Sequence, residues 1–136
     1  KSFRIPFTMK KTLLLLLSFY LYACNGGEDS KNRVDAEGLI RMAKADTTVQ
    51  IVDVRTPEEW METGRISGAI PIDYRAADFD ARLSQLNKEK PVIVYCNSGS
   101  RSTKAAEEMR ELGFKNVINY SGGMKDWKKK GHETVR

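Results

Sequence analysis

One segment concentrates the reactive chemistry of this chain: Cys96-Asn97-Ser98-Gly99-Ser100-Arg101-Ser102. A cysteine ends an apolar run, small polar residues follow it, and an arginine stands five positions on. Small residues and Gly99 let the backbone curl so that successive N–H groups point inward, which makes an anion-binding nest. A helix beginning at the end of the segment adds partial positive charge, and Arg101 adds a full one. Such surroundings lower a cysteine pKa and favour the thiolate, the form that acts as a nucleophile. Cys96 and Arg101 are therefore the expected catalytic residues. Asn97, Ser98, Gly99, Ser100 and Ser102 are expected to bind an anionic substrate. The competing reading is a cysteine that merely ends a core strand, as cysteines often do; Gly99, Arg101 and the helix start argue against it.

A nucleophile needs a scaffold, and the chain alternates helix and strand signals from Val34 onward. Asp35 can cap a helix from Ala36 to Ala45, with Leu39, Ile40 and Ala43 at helical spacing. Gln50–Val54 reads as a short apolar strand, and Thr56-Pro57 as a cap and first turn. Ala69–Ile72 reads as a weak edge strand because of Pro71. Phe79–Leu86 is expected to be helical, and Pro91–Tyr95 is the clearest buried strand. A helix is expected over Ser102–Leu112, a last strand over Asn116–Asn119 and a closing helix over Met124–Lys130. Short links between alternating elements imply parallel strands covered by helices on both faces. In such sheets ligands sit beyond the carboxyl ends of the strands, so the loops after Val54 and Tyr95 are the expected functional edge.

Other residues receive smaller roles. Asp53 and Arg55 are expected to make an ion pair that fixes the loop edge, with direct anion binding by Arg55 as a lesser alternative. Glu59 and Trp60 are read as structural. His132 is the single histidine and is expected to be solvated; with so few suitable ligands no metal site is expected.

The net charge of +5 is uneven. Lys1, Arg4, Lys10 and Lys11 precede Cys24 with no acid among them; taking these four from the 23 basic residues leaves near balance against the 18 acidic ones. That argues against a nucleic-acid partner, which would need a basic face. Met9-Lys10-Lys11 and the apolar run Leu13–Cys24 match the charged and apolar regions of a secretory signal. The run is shorter than the roughly 20 residues of a membrane span. Leu21-Tyr22-Ala23-Cys24 resembles the lipobox of bacterial lipoproteins, which implies acylation of Cys24. The expected organisation is a signal peptide over residues 1–23 with its natural start at Met9, a lipidated Cys24 with a polar tether over 24–32, and one domain over 33–136. The product would be an exported lipoprotein, held to a membrane and facing the periplasm or the cell exterior. With Cys24 acylated, Cys96 is a lone thiol, a flag for reactivity in an exported protein.

Four ordered stretches then converge on one family. Cys-x-x-Gly-x-Arg-Ser at Cys96 resembles the active-site loop of rhodanese domains. Asp53-Val54-Arg55-Thr56-Pro57-Glu58-Glu59-Trp60, Gly64-Arg65-Ile66-Ser67-Gly68-Ala69-Ile70 and Gly122-Gly123-x-x-x-Trp127 resemble the other segments of that family, with Arg65 where a histidine is usual. Single-domain periplasmic rhodaneses of the phage-shock type are the most similar in pattern. The resemblance implies a rhodanese-like α/β fold with a five-stranded, mostly parallel sheet and helices on both faces. It also implies sulfurtransferase activity of the thiosulfate type, without a cofactor. The Cys96 thiolate would take sulfur from a small anionic donor such as thiosulfate. The resulting persulfide would pass it to a thiol or cyanide acceptor, a thioredoxin-like protein among the candidates. Two rivals are a cysteine phosphatase or arsenate reductase of related fold, which would need Cys-x5-Arg where this chain has Cys-x4-Arg, and a non-catalytic rhodanese module, which typically lacks the cysteine retained here.

Overall fold

The computed structural model describes residues 31–136. The expected signal peptide, Cys24 and the tether up to Ser30 lie outside the described residues. Among the described residues no helix is long and apolar enough to cross a membrane.

The described chain runs α1 (Ala36–Ala45), β1 (Gln50–Asp53), α2 (Pro57–Thr63), β2 (Ile70–Pro71), α3 (Phe79–Leu83), β3 (Val92–Tyr95), α4 (Ser100–Glu111), β4 (Val117–Tyr120) and α5 (Gly123–Lys129). The strands of the sheet all pair in parallel, in the order β2-β1-β3-β4. The Pro71 strand lies at the edge, where its missing N–H is tolerated. The sheet has four strands among the described residues rather than the five implied by the family resemblance. What stands beside β4 is a single parallel bridge from Arg33 to Asn119, made by Val34 N–H to Asn119 O at 3.2 Å and Asn119 N–H to Asn32 O at 2.8 Å. The chain turns into α1 immediately afterwards, which ends the ladder.

Strand alternation sorts the core into two layers. Val52, Val54, Val92, Val94, Cys96 and Val117 pack with Phe79 and Leu83 of α3 and Ala105, Ala106 and Met109 of α4. Ile51, Ile93, Tyr95, Ile118 and Tyr120 pack on the other face with Ala36 and Leu39 of α1 and Met124 and Trp127 of α5. Cys96 thus continues the Val92–Val94 face and points toward α4.

Helix ends follow the expected chemistry in places. Asp35 caps α1 by accepting from Gly38 N–H at 2.7 Å. Thr56 and Glu59 form a reciprocal capping box at α2, with Pro57 in its first turn. Two helix ends move by two residues or more. Helix α3 stops at Leu83 rather than Leu86. Helix α4 begins at Ser100, two residues before the expected Ser102, because Gly99 adopts φ +98° and turns the chain directly into the helix.

The carboxyl ends of β1 and β3, side by side in the parallel sheet, are tied by a buried polar group. Asp53 and Tyr95 are register partners, and the Tyr95 hydroxyl donates to Asp53 Oδ2 at 2.7 Å. It also accepts from Ile66 N–H at 3.1 Å. Tyr95→Phe would leave both a buried carboxylate oxygen and a buried N–H short of a partner, a cost of about 1–3 kcal/mol. Urea unfolding checks this: the midpoint should fall with an unchanged slope, and an unchanged midpoint would show that the hydroxyl carries no net stability.

Candidate active site

Cys96 is the first residue after β3 and is 1% exposed. Its sulfur accepts from Gly99 N–H at 3.1 Å, and the Ser102 hydroxyl lies 3.6 Å away. Burial pushes the thiol pKa up. The Ser102 hydroxyl and the backbone N–H groups of Ser102, Gly99 and Ser98 outweigh it and hold the pKa below the ordinary value. The first turn of α4 carries no acidic residue. Cys96 stands at that helix N-terminus, where a negative charge is favoured.

The loop owes its curl to two glycines. Gly99 has φ +98°, and a Cβ there would lie 2.5 Å from Ser121 O. Gly123 has φ +64°, and a Cβ there would lie 2.5 Å from Cys96 O and 2.6 Å from Asn97 O. That close approach lets the start of α5 take both carbonyls: Met124 N–H donates to Cys96 O at 2.9 Å and Lys125 N–H to Asn97 O at 3.0 Å. With these carbonyls turned toward α5, the N–H groups that follow are free to face the sulfur. Gly99 O is held from the other side by the Thr103 hydroxyl at 2.8 Å; the Ser102 hydroxyl lies between Gly99 O at 3.2 Å and the sulfur at 3.6 Å, and its one proton can turn to the sulfur when that is charged. Thr103 in turn accepts from the Asn119 side chain at 3.0 Å. Gly99 and Ser102 are buried against the sulfur, whereas Asn97, Ser98 and Ser100 stand exposed on the rim.

The arginines are engaged elsewhere. Arg55 is 1% exposed and forms a buried ion pair with Asp53 at 2.7 Å. Its guanidinium also donates to Gly64 O and to the Thr63 hydroxyl, each at 2.7 Å. Every arm is spent on the protein, which leaves no fork for direct anion binding by Arg55. Arg101 binds Glu59 through both arms, Nη1 to Oε2 at 2.7 Å and Nη2 to Oε1 at 2.8 Å. It acts electrostatically on Cys96 but makes no hydrogen bond to the sulfur. Arg101 is half of a neutral pair with Glu59 rather than an unopposed charge beside Cys96. Arg101 in turn holds the Glu59 carboxyl down to about 2, chiefly by this hydrogen bond.

Residues read only as structural, or overlooked, therefore take part in the site. Glu59 is signalled by the capping box but its reach to Arg101 is not. Asn119 and Thr103 give no sequence signal beyond a polar residue in an apolar strand. His132 is packed rather than solvated: its ring centroid lies 4.5 Å from that of Trp127, and Nε2 is 3.7 Å from Glu37.

Comparison with known proteins decides the family. The model of the rhodanese-like domain matches residues 35–130. The chain belongs to the rhodanese-like domain family. Among its relatives, a sulfurtransferase of Allochromatium vinosum is 32% identical over 100 residues, covering 74% of this chain and 91% of that protein. The protein YrkF of Bacillus subtilis is 34% identical over 108 residues, 75% of this chain, which spans 57% of YrkF. A rhodanese-related protein of Thermoplasma volcanium has a solved structure with TM-score 0.67 and 28% identity, covering 76% of this chain and 97% of that one. The fold is accordingly rhodanese-like, and the Cys96 cradle is the loop of this rhodanese domain that can hold an anionic sulfur.

Ser102→Ala tests the cradle. Alkylation of Cys96 by iodoacetamide tracks the thiolate, so the pH at which alkylation is half-maximal should move upward in the variant, and reactivity should vanish sooner on acidification. An unmoved midpoint would remove the hydroxyl from the account.

Proposed function

We propose that this rhodanese domain is a sulfurtransferase that carries sulfane sulfur as a persulfide on Cys96. The observation that carries the reading is a buried cysteine sulfur ringed by backbone N–H groups and a hydroxyl at a helix N-terminus. Membership of a family that includes sulfurtransferases supports it.

The chemistry is a two-step covalent relay. The Cys96 thiolate attacks the sulfane sulfur of a donor such as thiosulfate; the sulfur–sulfur bond of the donor breaks, sulfite leaves, and a Cys96 persulfide remains. An acceptor thiolate or cyanide then attacks the outer sulfur and restores the thiolate. The N–H groups of Ser98, Gly99 and Ser102 stabilise the anion in both forms. No separate base is invoked, because the cradle lowers the thiol pKa and favours the ionised nucleophile. The acceptor is a thiol or cyanide, and a thioredoxin-like protein is a fitting source of the thiol.

Intact mass after incubation with thiosulfate tests the relay: wild type should gain one sulfur and lose it to cyanide. Cys96→Ser should show neither gain nor turnover with an unchanged unfolding midpoint. Turnover by Cys96→Ser would overturn the assignment.

The lipobox-like Leu21–Cys24 supports a second part of the proposal, export and attachment to a membrane through acylated Cys24. In a bacterial host the protein should label with palmitate and sediment with membranes, and Cys24→Ser should do neither. Equal labelling of the two forms would refute the anchor.

A further inference from the structure

Resting on the sulfur-transfer reading, we propose that the site discriminates by donor charge. Its preferred donor is an organic persulfide of low charge rather than dianionic thiosulfate, and Glu59 is the residue that sets this preference.

The two donors make different electrostatic demands. When the Cys96 thiolate attacks thiosulfate, three negative charges meet: the thiolate's one and the donor's two. They leave as one on the Cys96 persulfide and two on sulfite. When it attacks the outer sulfur of a protonated organic persulfide, the donor's sulfur–sulfur bond breaks, its inner sulfur departs as a thiolate, and the outer sulfur with its proton becomes the Cys96 persulfide. One negative charge is present throughout, and the sulfur is transferred without net oxidation. The first reaction calls for an unopposed cation beside the sulfur, since like charges at contact distances repel strongly in a partly buried site. The second needs only dipoles.

The site offers dipoles. Its two arginines are both neutralised within the protein. Arg55 is enclosed with Asp53. Arg101 gives both arms to Glu59, and the pair is shielded, with side chains 18% and 29% exposed. Asp73, on the loop after β2, adds a second carboxylate to the field at Arg101. Around Arg101 there are thus two carboxylates, Glu59 and Asp73, besides Cys96. Glu59 cannot swing away cheaply, because its Oε2 also accepts from Thr56 N–H at 3.0 Å in the α2 capping box. Arg75, the next cation on that loop, is exposed and screened by solvent. The groups that do reach the sulfur are the N–H groups of Ser98, Gly99 and Ser102 and one hydroxyl. They suit a single negative charge.

The test follows persulfide formation on Cys96 of the full chain by intact mass, with thiosulfate and with 2-hydroxyethyl persulfide as donors. Wild type should react at least about tenfold faster with the alkyl persulfide. Raising ionic strength should accelerate the thiosulfate reaction, as screening weakens repulsion, and leave the other within about twofold. Glu59→Gln frees the Arg101 charge and should speed thiosulfate about three- to tenfold with little change for the alkyl persulfide; a purely structural role for Glu59 would depress both donors together. Thiosulfate reacting as fast as the alkyl persulfide, or slowing as salt rises, would overturn the inference on wild-type protein alone, even where Glu59→Gln folds poorly. Absence of a persulfide from either donor would instead overturn the sulfur-transfer reading itself.

Discussion

A buried sulfur anion is expensive, and the architecture around Cys96 offsets that cost with dipoles. At 1% exposure the thiol is pushed toward its neutral form. A counter-charge in contact would reverse this, but it would also bind the sulfur tightly and blunt its nucleophilicity. Backbone N–H groups stabilise the charge while leaving the sulfur reactive, and being fixed they need no reorganisation during the reaction. Such dipoles exist only if the loop carbonyls point elsewhere. The start of α5 takes the Cys96 and Asn97 carbonyls, and the Thr103 hydroxyl takes that of Gly99. The chemistry of one atom thereby dictates glycine at 99 and 123, far apart in the chain.

The same economy governs the arginines. A buried pair such as Asp53–Arg55 is weak evidence for stability, because desolvation opposes attraction. Its use here is geometric. Asp53 accepts from Arg55 and Tyr95, and Arg55 reaches Gly64 O and Thr63 at the far end of α2. One carboxylate joins β1, the residue before Cys96 and the end of α2. The pair holds the edge of the site without lending it charge, and Arg101 with Glu59 repeats the pattern one layer outward.

Much of this was legible in the residues, for reasons that also mark the limits. The strands are short β-rich apolar runs, and Thr56-Pro57-x-Glu59 spells a helix start; both are local signals. The cysteine loop is local too. What stayed hidden depends on tertiary approach. Nothing near Ser100 announces that Gly99 enters αL and starts the helix early; the reason is Ser121 pressing from another loop. Glu59 is 42 positions from Arg101, and a capping glutamate looks the same whether or not an arginine meets its outer face. Asn119 reads as a flaw in an apolar strand until Thr103 is placed above it. The missing fifth strand was an inference from family likeness, and a bridge at Arg33 is what the chain supplies.

Strand register finally explains why the nucleophile is residue 96 and not a neighbour. Val92 and Val94 face α3 and α4, Ile93 and Tyr95 face α1 and α5, and the period of two carries Cys96 to the α4 side. Only there does a long helix begin immediately beyond the strand, its first N–H groups without partners inside the helix and so available to the sulfur. A slip of one residue would exchange every side chain between faces. Cys96 would then point toward α5, whose N-terminal N–H groups already serve the loop carbonyls. Tyr95 would lose Asp53 in the same movement. The sulfur is thus aimed by the alternation of a four-residue strand, and α4 and the start of α5 then set the dipoles around it.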